Sequence, residues 1–443
     1  MVTRSQTNSL RPTTFHDGTS KWPLPSALVT NLSTIPETPA MYTIAKQYPE
    51  WREAMAKEFQ ALLPNQTWTL IPASQATNTI TCKWSGIDFE ETFSPVVKAT
   101  TVRTVLAFVV SRNWFVHQHD VQNAFLHGPL HEMVFMAQPP GFSHPQYPSF
   151  VYKLNKAIYG LRQSPRVWYA RLTSRLVDLG FTISGADSSL FIYQSAHITT
   201  FVLVYVDDLL ITGSSMQFIY DLVAAISCDF PITNLVKLSY FLGVEASYNS
   251  EGLLLTQHKY IIDILHYTNM RSAKPVKSPV STSKKLSAFS KHLFEDPTLY
   301  RSTVGSFQYL SFTRSDLAFA VGKVYQFMHS PRVPHWQAVK RILRYIKHIS
   351  TVGLQLSPSS PTQLTTWSYV NWEGCPDDRR STRGYCIFLG SNLISWSSKK
   401  QPTVARSSIE TKFKVLAIAT AEVIYLQHLG DKLSNACTPK CVP

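Results

Sequence analysis

The segment FVLVYVDDLLITG, residues 201–213, constrains the fold of this chain more than any other part of the sequence. Its two apolar, β-branched runs have the length and composition of buried strands, so a β-hairpin is expected with Asp207 and Asp208 at its turn. Two adjacent carboxylates beside buried strands are costly unless a cation lies between them. Mg²⁺ suits this position because it prefers one or two carboxylates together with substrate phosphates. An ordinary polar hairpin tip also fits the segment taken alone.

A further carboxylate, Asp120, follows another apolar and aromatic run in the string FVHQHDVQNAFLHG. Two more strings come later in the chain, LNKAIYGLRQSPRVWYARL from Leu154 and SYFLGVE from Ser239. With the YVDD box, these motifs resemble the reverse transcriptases of copia-type LTR retrotransposons in both order and approximate spacing. The resemblance extends from about Tyr42 to near the C-terminus. It identifies the chain as the reverse transcriptase and partial RNase H region of a copia-type Pol polyprotein, in a degenerate copy.

The resemblance implies an RNA-directed DNA polymerase of the α+β class, with a right-hand palm and fingers. Asp120, Asp207 and Asp208 would be the catalytic residues and the ligands of two Mg²⁺ ions, or of Mn²⁺. They would place the primer hydroxyl in line with the α-phosphate of the incoming nucleotide. The implied partners are an RNA or DNA template with its primer and deoxynucleoside triphosphates, and the sequence sets no oligomeric state.

The same resemblance assigns residues around the carboxylates. The ring of Phe125 would lie under the sugar and exclude a 2′-hydroxyl, and Gly160 would permit close backbone approach. Without Asp120 and the YVDD box nearby, packing would be the default explanation of both residues. The full set implied is Phe125, Gly160, Gln163 and Lys83 for nucleotide binding, and Phe241, Leu242 and Gly243 for gripping the primer end.

Composition agrees with a polyanionic partner. The 42 Lys and Arg residues exceed the 28 Asp and Glu residues, giving a net charge of +14 and a pI near 9.4, and such binding would weaken with salt. The 6 cysteines have neither zinc-finger nor dense disulfide spacing, and Cys437 and Cys441 form an isolated CxxxC. A reducing intracellular compartment, cytoplasmic or nuclear, is therefore expected. Membrane insertion is not expected, because no apolar run approaches the ~20 residues that span a bilayer.

Composition shifts divide the chain into four expected regions. Residues 1–40 are rich in Ser, Thr and Pro and are expected to form a flexible arm. Residues 41–250 would form the fingers and palm, and residues 251–355 a thumb or connection-like region. Residues 356–443 would form a truncated, degenerate RNase H-like α/β domain. Within the third region, residues 271–291 are basic and serine-rich, and they predict either a solvated linker or a contact with phosphates.

Four segments have helical spacing of apolar residues, namely residues 50–63, 101–111, 168–179 and 334–348. The last is amphipathic, with Val339, Ile342, Leu343 and Ile346 on its apolar face. Lys340, Arg344 and Lys347 lie on another face, which predicts contact with a nucleic-acid duplex. Trp336 and Tyr345 are expected to be core anchors.

One departure from the family pattern follows Lys83, where copia-type enzymes insert a basic β-hairpin. This chain has no basic residue between Lys83 and Lys98, whereas three acids occur there, Asp88, Glu90 and Glu91. The missing hairpin resembles the fingers element that neutralises the triphosphate. The sequence therefore predicts an impaired polymerase with Lys83 as a remnant of that clamp. The alternative is a non-catalytic retrotransposon remnant that at most binds nucleic acid.

A second departure lies in the RNase H-like region. That fold cleaves RNA with carboxylates around two metal ions, but the family's first catalytic aspartate falls on Tyr369 and another falls on Asn371. The helix glutamate falls on Lys412, which reverses the charge. Glu373 is expected on the strand face of Tyr369, about 13 Å away at ~3.3 Å per residue, too far to substitute. RNase H activity is therefore expected to be absent.

Overall fold

The computed structural model describes residues 39, 42–77, 79–80, 96–235, 238–281, 286–358 and 363–435. Several expectations from the sequence lie outside these residues. They concern the N-terminal arm as far as residue 38, Lys83 and the site of the missing hairpin, residues 282–285 of the basic linker, and the CxxxC of Cys437 and Cys441.

The described residues form a mixed fold of helices and mainly antiparallel sheets. The helices are α1 (Tyr42–Ala45), α2 (Pro49–Leu62), α3 (Ala99–Ser111), α4 (Ser164–Asp178), α5 (Met216–Ser227), α6 (His258–Tyr267), α7 (Pro297–Leu310), α8 (Ala318–Tyr325), α9 (Val333–His348) and α10 (Ser408–Asn435). The strands are β1 (Trp68–Pro72), β2 (Thr79–Ile80), β3 (Val116–Val121), β4 (Pro129–Ala137), β5 (Phe150–Lys156), β6 (Thr182–Ile183), β7 (Leu190–Gln194), β8 (Thr199–Tyr205), β9 (Asp208–Gly213), β10 (Ile232–Leu235), β11 (Tyr240–Phe241), β12 (Val244–Asn249), β13 (Gly252–Thr256), β14 (Leu354–Leu356), β15 (Leu364–Asn371), β16 (Thr382–Leu389) and β17 (Asn392–Lys400).

The four helices predicted from apolar spacing are confirmed as α2, α3, α4 and α9. Of these, α4 differs most, because it begins at Ser164 rather than at Trp168. A proline in its first turn explains the earlier start, since proline is pre-organised for that position and needs no hydrogen-bond donor there. Among the described helices, none has both the length and the apolar character needed to cross a bilayer.

A six-stranded antiparallel sheet with strand order β10-β3-β9-β8-β7-β6 occupies the centre of the chain. The side chains of α3 pack with Phe201, Leu203 and Leu210 on one face of it. Those of α4 and α5 pack with Val202, Leu209 and other strand residues on the opposite face. Strands buried on both faces need apolar residues at every position, which explains the unbroken apolar runs around the aspartate pair.

Three smaller sheets accompany the central one. The first has the order β1-β5-β4-β2 and precedes most of the central sheet in the chain, and the second has the order β11-β12-β13-β14. In the second sheet β13 pairs with β14, which is about 100 residues later. The expected boundary at residues 250 and 251 falls in the turn between the paired strands β12 and β13. The division into four regions remains a prediction.

Helices α6 to α9 share one apolar core. The predicted apolar face of α9 is confirmed, because Val339, Ile342, Leu343 and Ile346 are all buried, and Trp336 is buried beside them. The start of the basic linker contacts this helix through its backbone, while most side chains of residues 271–277 are exposed. Its carbonyls at residues 271, 273 and 274 accept hydrogen bonds from the side chains of Lys347 and Arg344.

The last elements form a three-stranded antiparallel sheet of order β15-β16-β17, which packs against α10. The expectation that Glu373 lies on the strand face of Tyr369 is wrong. Pairing with β16 ends at Asn371, opposite Thr382, and the chain then turns, so Glu373 has a φ of 52°. Its carboxylate accepts a hydrogen bond from Arg379 at 2.6 Å.

Candidate active site

The register of two neighbouring strands brings the predicted carboxylates together. β3 and β9 are antiparallel, and Asp120 lies directly opposite Asp208. Asp207 precedes β9, and its carbonyl accepts a hydrogen bond from the Val121 N–H at 2.9 Å. The three acidic residues therefore collect at one end of adjacent strands in the central sheet.

The turn that carries Asp207 has a strained backbone. Tyr205 pairs with Asp208 across the hairpin, which leaves Val206 and Asp207 as its two-residue loop. Val206 has a φ of 56°, a conformation that a β-branched residue rarely adopts. The indole N–H of buried Trp168 donates to the Val206 carbonyl at 2.6 Å. This bond from α4 holds the turn in its strained conformation.

Burial and mutual repulsion both disfavour charge on these carboxylates. Burial raises the pKa of Asp120, and burial together with the charge of Asp120 raises the pKa of Asp207. The pKa of Asp208 rises to about 6, chiefly through burial and further through the charges of Asp207 and Asp120. Gln118 opposes this rise by donating from Nε2 to Asp208 Oδ1 at 3.3 Å. A bound cation would relieve the repulsion among the three groups.

The carboxylate oxygens of the three aspartates suit a hard cation that is held partly by substrate. None of the three aspartates forms an ion pair within the described part of the chain. The described part of the chain also contains no group of three or more His, Cys, Asp or Glu side chains arranged to hold one metal ion. Mg²⁺ does not require such a cage, since it is usually held by one or two carboxylates plus waters and substrate phosphates.

Three of the residues predicted to bind nucleotide lie on two neighbouring turns. Phe125 is half-buried in a 3₁₀ turn, Ala124–His127, that follows the strand of Asp120. Gly160 has a φ of 103°, which an L-amino acid would adopt only with strain. Gln163 is buried at the start of α4, and within the described part of the chain neither its amide nitrogen nor its amide oxygen has a hydrogen-bond partner. Unpartnered buried groups of this kind are costly and need a functional explanation.

The residues predicted to grip the primer form a tight hairpin. Phe241 is buried and pairs with Val244, so Leu242 and Gly243 make the two-residue loop. Both have positive φ, 49° and 64°, as a type I′ turn requires. The Tyr309 hydroxyl donates to the Leu242 carbonyl, and a Cβ at Gly243 would lie 2.7 Å from that hydroxyl. A larger residue at this position would be strained in its backbone and would require the Tyr309 side chain to move.

Sequence reasoning missed three residues that support these sites. Gln118 could have been predicted, because side chains alternate along a strand and Gln118 lies two residues before Asp120 on the same face. Tyr159 lies inside a quoted motif, and its ring centroid is 4.7 Å from that of Phe125. Tyr309 had no local signal, because it reaches the Leu242 turn from a distant helix.

The three positions predicted to be a degenerate RNase H site have exposed side chains. Tyr369 and Asn371 share one face of β15, and both side chains are exposed. Lys412 is exposed near the start of α10. None of these three side chains can supply a carboxylate.

Comparisons with known proteins identify the family of the chain. A family model described as reverse transcriptase (RNA-dependent DNA polymerase) matches residues 68–282. The retrovirus-related Pol polyprotein from transposon RE2 of Arabidopsis thaliana is 42% identical over 417 residues, which cover 87% of this chain and 29% of that protein. The corresponding protein from transposon TNT 1-94 of Nicotiana tabacum is 34% identical over 420 residues, 86% of this chain and 31% of that protein.

A shorter relative is matched along most of its length. A protein of Saccharomyces cerevisiae assigned to transposon Ty5-1 is 30% identical over 284 residues, 63% of this chain and 92% of that protein. By contrast, the chain spans less than a third of the two plant Pol polyproteins. The chain belongs to the retrovirus-related Pol polyproteins of copia-type transposons and contains their reverse transcriptase domain.

Proposed function

We propose that this chain is an RNA-directed DNA polymerase that extends a primer on an RNA or DNA template with deoxynucleotides. The observation that carries the proposal is the pairing of Asp120 opposite Asp208, with Asp207 in the adjoining turn. Three carboxylates at one end of two adjacent strands form an oxygen-rich site on a rigid sheet. Membership in the reverse transcriptase family supports this assignment.

Asp120 and Asp207 would hold two Mg²⁺ ions, with Asp208 alongside. When bound, such a pair of ions stabilises the attacking and leaving oxygens of a nucleotidyl transfer. The protein's own contribution is to hold the carboxylates together despite their repulsion. The strained Val206 turn and its bond from Trp168 fulfil this role.

The surrounding residues have roles that follow from their positions. Phe125 would contact the sugar, and the unpartnered amide of Gln163 would bond to the nucleotide. Phe241, Leu242 and Gly243 would position the primer end. On this proposal the central sheet is the palm, the sheet of β1, β5, β4 and β2 belongs to the fingers, and α6 to α9 form a thumb-like bundle.

Two features limit the proposed activity. The absence of a basic hairpin after Lys83 leaves the triphosphate charge partly unneutralised, so extension is expected to be slow. The C-terminal unit of β15 to β17 and α10 is proposed as an RNase H-like domain without cleavage activity. Tyr369, Asn371 and Lys412 stand where that chemistry needs carboxylates.

A non-catalytic remnant that binds nucleic acid is the second candidate. The loss of acids from the RNase H-like unit favours it, because one of the two proposed metal sites has already lost its ligands. The net charge of +14 would support such binding without chemistry.

Primer extension distinguishes the two candidates. Oligo(dT) annealed to poly(rA) is incubated with dTTP and Mg²⁺, using the wild type and Asp207→Asn at equal concentration. Extension by the wild type and none by the variant is expected, because the variant keeps the shape of the turn and loses one charge. Template binding by both proteins, measured by fluorescence anisotropy, controls for folding. A wild type that binds the primed template and adds no nucleotide would overturn the polymerase proposal.

A further inference from the structure

A solvent-facing aromatic ring lies beside Phe125. Tyr159 is 47% exposed. It belongs to the segment between β5 and α4 that also carries Gly160. Its ring is tilted by 56° to that of Phe125, with 4.7 Å between the ring centroids. This distance is within the range of favourable aromatic pairs. One side of Phe125 is therefore covered by Tyr159 and not by the apolar core alone.

The backbone fixes the two rings relative to each other. The Ala157 N–H donates to the Gly128 carbonyl at 2.8 Å, which joins the strand end before Tyr159 to the residue after the Phe125 turn. Pro129 also pairs with Lys156 in the sheet register. A Cβ at Gly128 would lie 2.9 Å from Val167 of α4, so the junction is closely packed. The backbone bond, the strand pairing and the packing at Gly128 therefore hold the two rings in contact.

The Tyr159 phenol is disfavoured from ionising. Burial, together with the charges of Asp207, Glu58 and Asp120, raises its pKa to about 12, so the hydroxyl stays protonated at neutral pH. Glu58 belongs to α2, whereas the two aspartates belong to the central sheet. The position of Tyr159 relative to the candidate site is given by its ring contact with Phe125, whose turn follows the strand of Asp120.

We propose that Tyr159 is a positioning residue that acts through Phe125 and sets how strongly the site rejects ribonucleotides. This inference rests on the proposed polymerase function and on the proposed contact of Phe125 with the sugar. A ring excludes a 2′-hydroxyl only if it cannot move away from it. Tyr159 supplies the opposing surface that prevents this movement, and its aromatic face matters more than its hydroxyl.

Discrimination between dUTP and UTP tests the inference, because these nucleotides differ only at the 2′ position. Their kcat/KM ratios are compared on poly(rA)/oligo(dT) for the wild type, Tyr159→Ala, Tyr159→Phe and Phe125→Ala. Tyr159→Ala should lower the preference for dUTP by about tenfold, near the upper end of what an aromatic pair contributes. Tyr159→Phe should stay within about twofold of the wild type, since the ring remains.

Tyr147→Ala is the matched control. Tyr147 is 45% exposed, and its ring lies 4.8 Å from that of Phe150, so it is a similar exposed aromatic pair in a different loop. Its removal should leave the dUTP/UTP ratio unchanged. A loss of activity toward both nucleotides in equal proportion in Tyr159→Ala would show a merely structural role and would overturn the inference.

A second measurement separates this inference from catalysis itself. With a dideoxy-terminated primer, binding of dUTP and of UTP to the protein, template and primer complex is measured in Mg²⁺ without any extension. Preference for dUTP in the wild type and its loss in Tyr159→Ala would support the inference even if the wild type fails to extend primers. Extension by a wild type whose preference survives in Tyr159→Ala would leave the polymerase proposal standing and reject the role of Tyr159. A wild type that binds neither nucleotide would overturn both.

Discussion

At the scale of single residues, unfavourable conformations and charges concentrate around the candidate site. Val206 and Leu242 are apolar residues with positive φ, and each belongs to a two-residue turn beside a proposed contact with substrate or primer. The buried amide of Gln163 has no partner among the residues that the structure describes. Such features cost of order 1–3 kcal/mol each and persist only where the surrounding structure enforces them. The rest of the fold, and not the site, therefore provides the stability.

The Asp208→Asn variant should be more stable than the wild type in the absence of divalent cations. Burial and the charges of Asp207 and Asp120 raise the pKa of Asp208 to about 6 in the folded state, so its charged carboxylate destabilises the fold as pH rises from about 4 through 6. Near pH 7.5 the full cost is present, about 3 kcal/mol. The variant removes this charge, and its amide oxygen can still accept from Gln118. Urea unfolding with EDTA at pH 7.5 and pH 5 measures the effect, which should shrink at the lower pH.

Asp221→Asn provides the control for this charge removal. Asp221 is also an aspartate that accepts a hydrogen bond from a glutamine, Gln217, at 3.0 Å, but it is exposed on α5. Its replacement should change the unfolding free energy by less than about 0.5 kcal/mol. Equal stability of Asp208→Asn and wild type at pH 7.5 would show that burial and the neighbouring carboxylates do not disfavour the charge of Asp208 as inferred.

At the scale of elements, the basic face of α9 is used differently from what its sequence indicates, because two of its three basic side chains bond to another segment of the chain. Arg344 donates to the Lys274 carbonyl at 2.5 Å, and Lys347 donates to the Ala273 carbonyl at 2.9 Å. Both cations therefore hold the preceding linker, whereas Lys340 is exposed. The periodicity of a helix predicts which side chains share a face. It does not predict that another segment of the same chain will cover that face.

The N-terminus of α9 should make stability depend on pH. His335 is fully buried, accepts at Nδ1 from the Arg332 N–H at 3.0 Å and donates at Nε2 to the Ser287 carbonyl at 3.0 Å. Burial lowers its pKa, the charge of Arg332 adds to this, and the Ser287 bond and Asp377 oppose it. The neutral ring is thus favoured in the folded state. Stability should fall as pH decreases below about 6.5, where the unfolded histidine gains a proton.

His335→Asn isolates this contribution, because asparagine has an acceptor and does not titrate. Unfolding free energies of the wild type and the variant are compared at pH 7.5 and pH 5.5. The variant should be less stable at pH 7.5, since it loses ring packing against Phe327, but its stability should change less with pH. His329→Asn, at an exposed position, should behave as the wild type does. Parallel pH profiles for the wild type and His335→Asn would contradict the assignment.

At the scale of the whole molecule, the C-terminal unit covers the helix at the centre of the fold. All residues of α3 from Thr101 to Val110 are buried, and its apolar side chains share one core with Ile387, Ile394 and Leu426. Thr101 also bonds to Tyr425 of α10 at 2.6 Å and to Asp187 at 2.5 Å. The positions proposed for RNase H carboxylates are exposed on the same unit. Substitutions at these positions can therefore remove RNase H carboxylates without disturbing the packing that supports the proposed polymerase site.

The sequence predicted local features well and long-range features poorly. The aspartate hairpin and the helices α2, α3, α4 and α9 follow from spacing of apolar residues within one segment, which is the strongest signal that a single sequence contains. The family resemblance supplied Asp120 as the third carboxylate. Neither source could indicate the partners of Arg103, because they come from segments more than 200 residues away, Ile394 and Phe312. Contacts of this kind depend on tertiary packing alone.

Arg103 should therefore be essential to the stability of the whole described fold. It is buried in α3, donates to the Ile394 carbonyl at 2.8 Å and to the Phe312 carbonyl at 2.9 Å, and lies 3.9 Å from the Trp396 ring centroid. Burial lowers its pKa to about 9, so the guanidinium remains charged near neutral pH. Arg103→Ala would leave both carbonyls unpaired and create a cavity, at a cost of about 3–5 kcal/mol.

Equilibrium unfolding shows whether the C-terminal unit and the rest of the described fold unfold as one cooperative unit. Urea unfolding of Arg103→Ala is followed by tryptophan fluorescence and circular dichroism, and the two signals should shift together to lower urea. Arg112→Ala, an exposed position at the end of the same helix, should shift the midpoint little, because its side chain faces solvent. Two separate transitions in the wild type would show that the C-terminal unit unfolds independently. A single transition lowered only by Arg103→Ala would show that the unit remains necessary to the fold even where it contributes no catalytic residue.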